Sequence, residues 1–167
     1  MVGDLAAFVR ESLASEIEED VDLGREIDLQ RRYLALEQRR FGDRLRVIID
    51  ADPAVRSARV PTLVLQPLIE NVITHAVSRS ASPVTLQLRT EQTAGGGVRL
   101  TVSDDALPDA ARVPGSIGPR GLGLGLRNIA ERLMLRYGPH ATLEAGPRPD
   151  GGWTAMIALP PENERRA

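Results

Sequence analysis

The hydrophobic period changes in the middle of the chain, and this change restricts the fold more than any other feature. Across residues 64–78 the apolar side chains recur at helical spacing and form one face: Leu65, Leu68, Ile69, Val72, Ile73 and Ala76. Residues 84–89 and 98–103 then alternate between apolar and polar side chains on either side of a glycine turn. A helix with one apolar stripe and a hairpin with one apolar face predict an α+β protein with a helical layer on a sheet.

The N-terminal third predicts two helices and a strand. Residues 5–17 carry an apolar stripe that needs a partner surface, because an isolated helix of this length is marginal in water. Asp22 is a candidate N-cap for a second helix that continues to Phe41 and ends at Gly42 and Asp43. Residues 46–50 are rich in β-branched side chains and predict a strand.

The C-terminal half predicts a long loop, a helix and two strands. Residues 105–120 lack any period, and a loop of this length in a compact domain is usually functional. The next helix turns Leu126, Ile129, Leu133 and either Leu135 or Tyr137 inward and ends at Gly138. Strands are expected at residues 141–145 and 153–159, with a turn at residues 149–152 and a polar tail after Leu159.

Composition narrows the functional class. A chain of 167 residues that is 42% hydrophobic is long enough for one domain with a core. The net charge of −2 and its scattered distribution argue against nucleic acid as a partner. The absence of cysteine excludes disulfides and thiolate chemistry and fits a cytoplasmic location. No apolar run is long enough for membrane insertion, so we expect a soluble chain.

The first polar constellation lies on the helix of residues 64–78. Glu70 and Asn71 are followed by His75, and Asn71 and His75 share one side of the helix beside the apolar stripe. An asparagine oxygen is a suitable neutral ligand for Mg²⁺, which prefers oxygen donors. The alternative is a solvated helix face with a hydrogen-bonded histidine.

The second constellation is Asp104, at the end of the hairpin. It lies an even number of residues after Val98, Leu100 and Val102 and so shares their face of the strand. Its carboxylate is therefore expected to point toward the buried face. Burial of a carboxylate is costly unless a group donates hydrogen bonds to it, and an adenine amino group is one such donor. The alternative is an aspartate that turns to solvent or caps the next turn.

The third constellation places glycine at every second position before a helix. Gly121, Gly123 and Gly125 leave the backbone open to a phosphate, and a helix N-terminus favours an anion. The spacing differs from the dinucleotide-binding glycine motif, and no Gly-Lys-Ser/Thr sequence completes a P-loop. The alternative is a flexible hinge.

In this order the three constellations resemble the N box, G1 box and G2 box of the Bergerat ATP-binding fold. Residues 33–41, 60–71 and 121–133 resemble more specifically the LytS/YehU-type sensor histidine kinases, and Leu-Gln-Pro-Leu-Ile-Glu-Asn at residues 65–71 is the most specific segment. The resemblance covers about residues 5–160. It implies a two-layer α/β sandwich in which helices cover one face of a mixed sheet.

The resemblance also implies roles for individual residues. Asn71 would coordinate Mg²⁺, and Asp104 would bind the adenine amino group of ATP. Glu70 and His75 match the N box, where Glu70 polarises a water or tunes Asn71. Residues 105–120 would form the ATP lid. The phosphates would be lined by Gly121, Gly123 and Gly125 with the backbone of Leu124 and Leu126.

Two departures from the family pattern stand out. The G1 box has glycines at its third and fifth positions, but here these are Ala106 and Pro108. Their replacement is expected to weaken nucleotide binding or stiffen the lid. The family's phosphoacceptor histidine is also missing, because the only histidines are His75 and His140. The chain is expected to be a fragment of a longer membrane kinase or a shortened homologue, and not to phosphorylate itself.

The sequence therefore predicts residues 1–42 as a helical extension, 43–160 as the ATP-binding domain and 161–167 as a tail. The implied function is the catalytic domain of a two-component histidine kinase. Its partners would be Mg·ATP, a phosphoacceptor histidine from another segment or protomer, and a response regulator, with a homodimer as a further expectation. Two alternatives stay open: an interaction module that has lost ATP, and an anti-sigma-type serine kinase.

Overall fold

A five-stranded mixed sheet forms the centre of the computed structural model, which describes residues 20–107 and 123–164. The strands are β1 (Asp20–Asp22), β2 (Leu45–Ala51), β3 (Arg59–Pro61), β4 (Val84–Gln92), β5 (Val98–Asp104), β6 (Thr142–Pro147) and β7 (Trp153–Leu159). The α-helices are α1 (Leu23–Phe41), α2 (Gln66–Val72) and α3 (Leu124–Tyr137).

The strand order of the large sheet is β2-β4-β5-β7-β6. β2 runs parallel to β4, whereas β4–β5, β5–β7 and β7–β6 are antiparallel pairs. β1 and β3 form a separate antiparallel pair. The predicted α+β fold with a mixed sheet is therefore confirmed.

The helices cover one face of this sheet. Val84, Leu86 and Leu88 of β4 are buried, as are the predicted inward residues of β5, while Gln87 and Arg89 on the opposite face of β4 are exposed. Helix α1 contributes Leu23, Ile27 and Leu34 to the same core. The boundary proposed at residue 42 thus separates elements that share one core.

Helix α1 begins after Asp22 and ends at Phe41, as predicted. Gly42 follows it with a φ of 57°, a conformation that favours glycine. Asp22 occupies the predicted N-cap position, yet its side chain makes no capping hydrogen bond and pairs with Arg59 at 3.1 Å. The N-cap position was therefore predicted correctly, but a pair with Arg59, which β1 and β3 bring beside Asp22, replaces the expected capping bond. Both strands have only three residues, too few to show a period.

The predicted helix of residues 64–78 is shorter and less regular than its pattern indicates. Regular α-helix covers Gln66–Val72, with Pro67 in the first turn, and Ile73–Val77 form a π-helical turn. All six predicted face residues are buried. Leu63 has a φ of 57°, so the chain turns sharply just before the helix.

Helix α3 also follows its prediction and ends at Gly138, which has a φ of 56°. Tyr137, and not Leu135, is the residue that turns inward. The predicted helix of residues 5–17 and residues 108–120 of the predicted loop lie outside the described residues. Within residues 20–107 and 123–164, no helix has the length and apolar character needed to span a bilayer.

Two leucines of α3 provide a matched test of this packing. Leu133 is 2% exposed and Leu135 is 88% exposed. Leu133→Ala is expected to lower the free energy of unfolding by about 2–5 kcal/mol, because it leaves a cavity in the core. Leu135→Ala is expected to change it by no more than about 0.5 kcal/mol. Urea titration of both variants measures the difference, and equal losses would contradict the orientation of α3.

Candidate nucleotide-binding site

Helix α2 contacts the two elements that carry Asp104 and the described part of the glycine segment. It packs against β5, which ends in Asp104, and against α3, which begins in the glycine segment. The starts of α2 and α3 lie side by side, since a Cβ atom at Gly125 would be 3.4 Å from Cβ of Pro67. The helix that carries the N box therefore packs against the strand that ends in Asp104 and against the helix that begins in the glycine segment.

The N-box residues lie on the side of α2 that the core leaves uncovered. Asn71 is half-buried, and Glu70 and His75 are exposed. His75 belongs to the π-helical turn that follows α2. The three polar side chains are therefore accessible to a ligand, while Leu68, Ile69 and Val72 hold the helix on the core.

Asp104 is buried at the end of β5, as the alternation of side chains predicts. It is 1% exposed, and its Oδ1 accepts a hydrogen bond of 3.0 Å from the backbone N–H of Ala106. The carboxylate thus caps the following turn, which was the alternative interpretation, and still lies on the inner face. A carboxylate offers about four lone-pair sites, so this bond does not exhaust its capacity to accept hydrogen bonds.

The β6–β7 turn holds the backbone of Asp104 in place. Gly152 has a φ of 79° and lies so close to Asp104 that any Cβ atom there would collide with the aspartate carbonyl. Arg148 donates a hydrogen bond of 3.2 Å to the same carbonyl oxygen and one of 2.6 Å to Asp150. Sequence reasoning predicted this turn but missed its role, because nothing in the local pattern indicates which strand end it covers.

Ala106 occupies the position of the first missing G1-box glycine. Its side chain is buried in the core. Among the described non-glycine residues, only Leu63 has a positive φ, so the backbone at Ala106 does not need glycine. Pro108, at the second missing glycine, lies outside the described residues.

The glycine segment opens α3 as an accessible helix N-terminus. Gly123 is the N-cap residue, with no capping side chain, and the first turn contains no acidic residue. Gly123, Leu124 and Gly125 are exposed, whereas Leu126 is buried. The first N–H groups of a helix lack intrahelical partners, so this end can bind an anion. Gly121 lies outside the described residues.

A buried carboxylate of α1 fixes the turn that leads into α2. Glu26 accepts hydrogen bonds from the backbone N–H groups of Leu63, at 2.8 Å, and Leu65, at 3.4 Å. Burial raises the pKa of Glu26 above its ordinary value of 4.5, although these backbone bonds and the charge of Arg132 oppose that shift. Arg132 of α3 also donates to the carbonyl of Thr62, at 2.9 Å, so both neighbouring helices hold this turn.

A second polar connection joins α1 to the N box. Gln30 donates from Nε2 to Oε1 of Gln66 at 2.9 Å, and Gln66 donates from Nε2 to Oε1 of Glu70 at 2.7 Å. Sequence reasoning missed these residues. The available signal was a polar stripe on α1 at helical spacing, formed by Glu26, Gln30, Tyr33 and Glu37.

The solved structures that this chain resembles in fold include histidine kinase domains. The histidine kinase domain of the Erythrobacter litoralis EL346 blue-light activated kinase matches with a TM-score of 0.59 and 24% identity, over 87% of this chain and 64% of that chain. The catalytic domain of histidine kinase ThkA matches with a TM-score of 0.58 and 16% identity, over 86% of this chain and 97% of that one. The fold is therefore that of a histidine kinase catalytic domain.

Sequence comparisons relate the chain to a particular group of histidine kinases. The family profile described as histidine kinase matches residues 1–45. Sensor histidine kinase YesM of Bacillus subtilis is 32% identical over 98% of the chain, and sensor protein LytS of Enterococcus faecalis is 26% identical over 96%. The chain spans 28% of the length of each. The resemblance is confirmed: over most of its length this chain is homologous to LytS/YesM-type sensor histidine kinases.

The contact between the β6–β7 turn and Asp104 predicts that Gly152→Ala is destabilising. A side chain at a φ of 79° is strained by about 1–3 kcal/mol, and the collision with Asp104 adds to this loss. Gly95→Ala is the control, because Gly95 lacks a positive φ and a Cβ atom there meets no atom within 4 Å. It should change the free energy of unfolding by no more than about 1 kcal/mol. Denaturant unfolding measures both, and a neutral Gly152→Ala would contradict the close approach.

Burial of Glu26 predicts a pH-dependent contribution to stability. Its pKa is raised in the folded chain, so folding strengthens proton binding and the resulting stabilisation is present below pH 4.5. This stabilisation is lost as the pH rises through the raised folded pKa. As the pH falls toward 4.5, the unfolding free energy of the parent should therefore rise relative to that of Glu26→Gln.

Urea titrations between pH 4.5 and 8 measure this trend. Glu131→Gln, which changes an exposed glutamate of α3, provides the control for general effects of charge. A difference for Glu26→Gln that is independent of pH, or that shifts in the opposite direction, would contradict the raised pKa.

Proposed function

We propose that this chain is the ATP-binding catalytic domain of a sensor histidine kinase, which binds Mg·ATP and donates the γ-phosphate to a histidine outside the chain. The observation that carries the proposal is the contact of α2 with both β5 and α3. A buried carboxylate, an accessible asparagine and an open helix N-terminus lie on these three packed elements, which supports a shared site. The family relationship supports the same function.

Asp104 would recognise the adenine. Its carboxylate is buried, so it gains from an N–H donor that replaces lost water. The exocyclic amino group of adenine is such a donor. Gly152 and Arg148 would hold the aspartate backbone at the position where the base binds.

The start of α3 would bind the phosphates. Gly121, Gly123 and Gly125 would leave the phosphates unobstructed by side chains, and the backbone N–H groups of Leu124 and Leu126 would donate to phosphate oxygens. The positive end of the helix dipole favours the same negative charge. The solved structure of full-length ShkA, which is 20% identical to this chain with a TM-score of 0.57, is a complex with the nucleotide AMPPNP.

The N box would hold the metal. Asn71 would supply an oxygen ligand to Mg²⁺, and the nucleotide phosphates and water would complete its coordination. Mg²⁺ neutralises phosphate charge when it is bound. Glu70 would orient a water or the Asn71 amide, and His75 would line the nucleotide from the next turn.

The histidine that accepts the phosphoryl group would come from another segment or protomer. Phosphoryl transfer depends mainly on positioning and charge stabilisation, so a domain that binds and orients Mg·ATP supplies most of what the reaction needs. The phosphorylated histidine would then transfer its phosphoryl group to an aspartate of a response regulator. On this proposal, residues 43–160 form the nucleotide domain, and residues 1–42 are the end of the dimerisation region and the helix that links it to that domain in a cytoplasmic kinase core.

A second candidate function is an interaction module that does not bind nucleotide. The observation in its favour is the replacement of both G1-box glycines by Ala106 and Pro108. The open start of α3 and the buried carboxylate of Asp104 favour nucleotide binding instead.

Calorimetric titration with a non-hydrolysable ATP analogue distinguishes the two functions. The parent chain should bind the analogue more tightly with Mg²⁺ than without it. Asp104→Ala should weaken binding roughly tenfold or more, because hydrogen bonds to charged groups contribute about 1.5–3 kcal/mol. Asn71→Ala should remove the gain in affinity that Mg²⁺ provides.

Two exposed positions provide matched controls. Asp50→Ala changes an exposed strand aspartate that pairs with Arg89, and Asn163→Ala changes an exposed asparagine near the C-terminus. Both should bind like the parent chain, and circular dichroism checks that every variant is folded. Failure of the parent chain to bind at millimolar analogue would contradict the proposed function and favour the interaction module.

A further inference from the structure

We propose that Gln30 and Gln66 are positioning residues that fix the carboxylate of Glu70, so that the placement of α1 regulates the metal end of the nucleotide site. This inference rests on the proposed function in one respect only, the role of the N box in binding Mg·ATP. The relay is defined as Gln30, Gln66 and Glu70, which form a continuous chain of hydrogen bonds from α1 to the N box.

The relay crosses from the protein interior to the site. Gln30 is 0% exposed, Gln66 is buried, and Glu70 is exposed beside Asn71. Gln66 is the first residue of α2 and Glu70 follows four residues later, so their side chains lie on one side of the helix. The 2.7 Å bond between them restricts an otherwise mobile carboxylate.

The direction of the relay follows from the chemistry of Glu70. An ionised carboxylate accepts hydrogen bonds and cannot donate them. Gln66 must therefore turn its Nε2 group toward Glu70, which leaves its Oε1 atom to accept from Gln30. A flipped Gln66 amide would place its oxygen against the carboxylate and its nitrogen against the Nε2 donor of Gln30. Both bonds would then be lost together, which makes the relay cooperative.

The burial of Gln30 is unfavourable for stability. Its Oε1 atom is buried and finds no hydrogen-bond partner among the described residues. A buried polar atom without a partner costs free energy, and an apolar side chain of similar volume would avoid that cost. A stabilising role therefore does not account for this glutamine, whereas a role in orienting Gln66 does.

Helix α1 is further connected to this region by the hydrogen bonds of one residue and by the electrostatic interaction of another. Glu26, one turn before Gln30, holds the backbone of Leu63 and Leu65 at the entrance to α2. Tyr33, one turn after Gln30, is close enough to Glu70 for that charge to help raise the pKa of the phenol, after burial and the charge of Glu37. The histidine kinase profile extends through residues 1–45 and so includes α1. A shift or rotation of α1 would therefore move Gln30 relative to Gln66.

Nuclear magnetic resonance of the labelled full chain tests the relay without nucleotide. Gln30→Met should shift the side-chain amide resonances of Gln66 and the carboxyl carbon resonance of Glu70. Gln38→Met changes an exposed glutamine of the same helix and should leave both sets of resonances in place. Gln30→Leu serves as a second variant if Gln30→Met does not fold. Unchanged Gln66 and Glu70 resonances in a folded Gln30 variant would overturn the proposal.

Calorimetry with a non-hydrolysable ATP analogue tests the consequence at the site. Gln66→Met should reduce the affinity gain from Mg²⁺ about fivefold or more, with little change in affinity without Mg²⁺. In a Glu70→Ala background the same substitution should have no further effect. Equal losses with and without Mg²⁺, or additive losses in the double variant, would overturn the regulatory role. If the parent chain binds no nucleotide, the proposed function fails and the resonance shifts alone decide whether α1 positions Glu70.

Discussion

The packing of α2 against the sheet is the interaction on which the rest of the site depends. Its buried face, which includes Leu68, Ile69 and Val72, removes a large apolar area from water and fixes the helix on the core. Glu70 and Asn71 lie outside this buried face, so one helix both closes the core and presents the N box. Because α2 also contacts β5 and α3, its placement determines where Asp104 and the glycine segment meet the N box.

Hydrophobic packing fixes the position of α2 only approximately, and hydrogen bonds from buried polar groups define it more closely. Apolar contacts are non-directional, whereas Glu26 and Gln30 make directional hydrogen bonds from α1 to the start of α2. The turn before α2 contains Leu63 in a left-handed conformation, and the Glu26 carboxylate holds its N–H group. At the end of β5, Gly152 and Arg148 hold the backbone carbonyl of Asp104 in place. These contacts connect distant segments to the residues that we propose bind nucleotide.

Most of the fold was predictable because its elements are long enough to show a period. The alternation in β4 and β5 and the glycine that ends α1 indicated their structures correctly, whereas the apolar stripe of residues 64–78 predicted a longer and more regular helix than α2. β1 and β3 were missed because three residues cannot establish a period, and their pairing removed Asp22 from its expected capping role. The burial of Asp104 was also predictable from the alternation of side chains along β5. The capping hydrogen bond from Ala106 was only one of two alternatives until the turn geometry was known. The roles of the candidate site residues stay predictions.

The sequence by itself determined the α+β class, the order of the three polar constellations and the family resemblance that links them. Local periodicity and motif spacing carry that information, because each depends on residues close together in the chain. Only the tertiary structure decided that Gln66 bonds to Gln30, that Gly152 lies against Asp104, and that Tyr137 and not Leu135 joins the core. These outcomes depend on which surfaces meet after folding. Contacts between residues far apart in the chain are set by the packing of whole elements, and no local pattern encodes them.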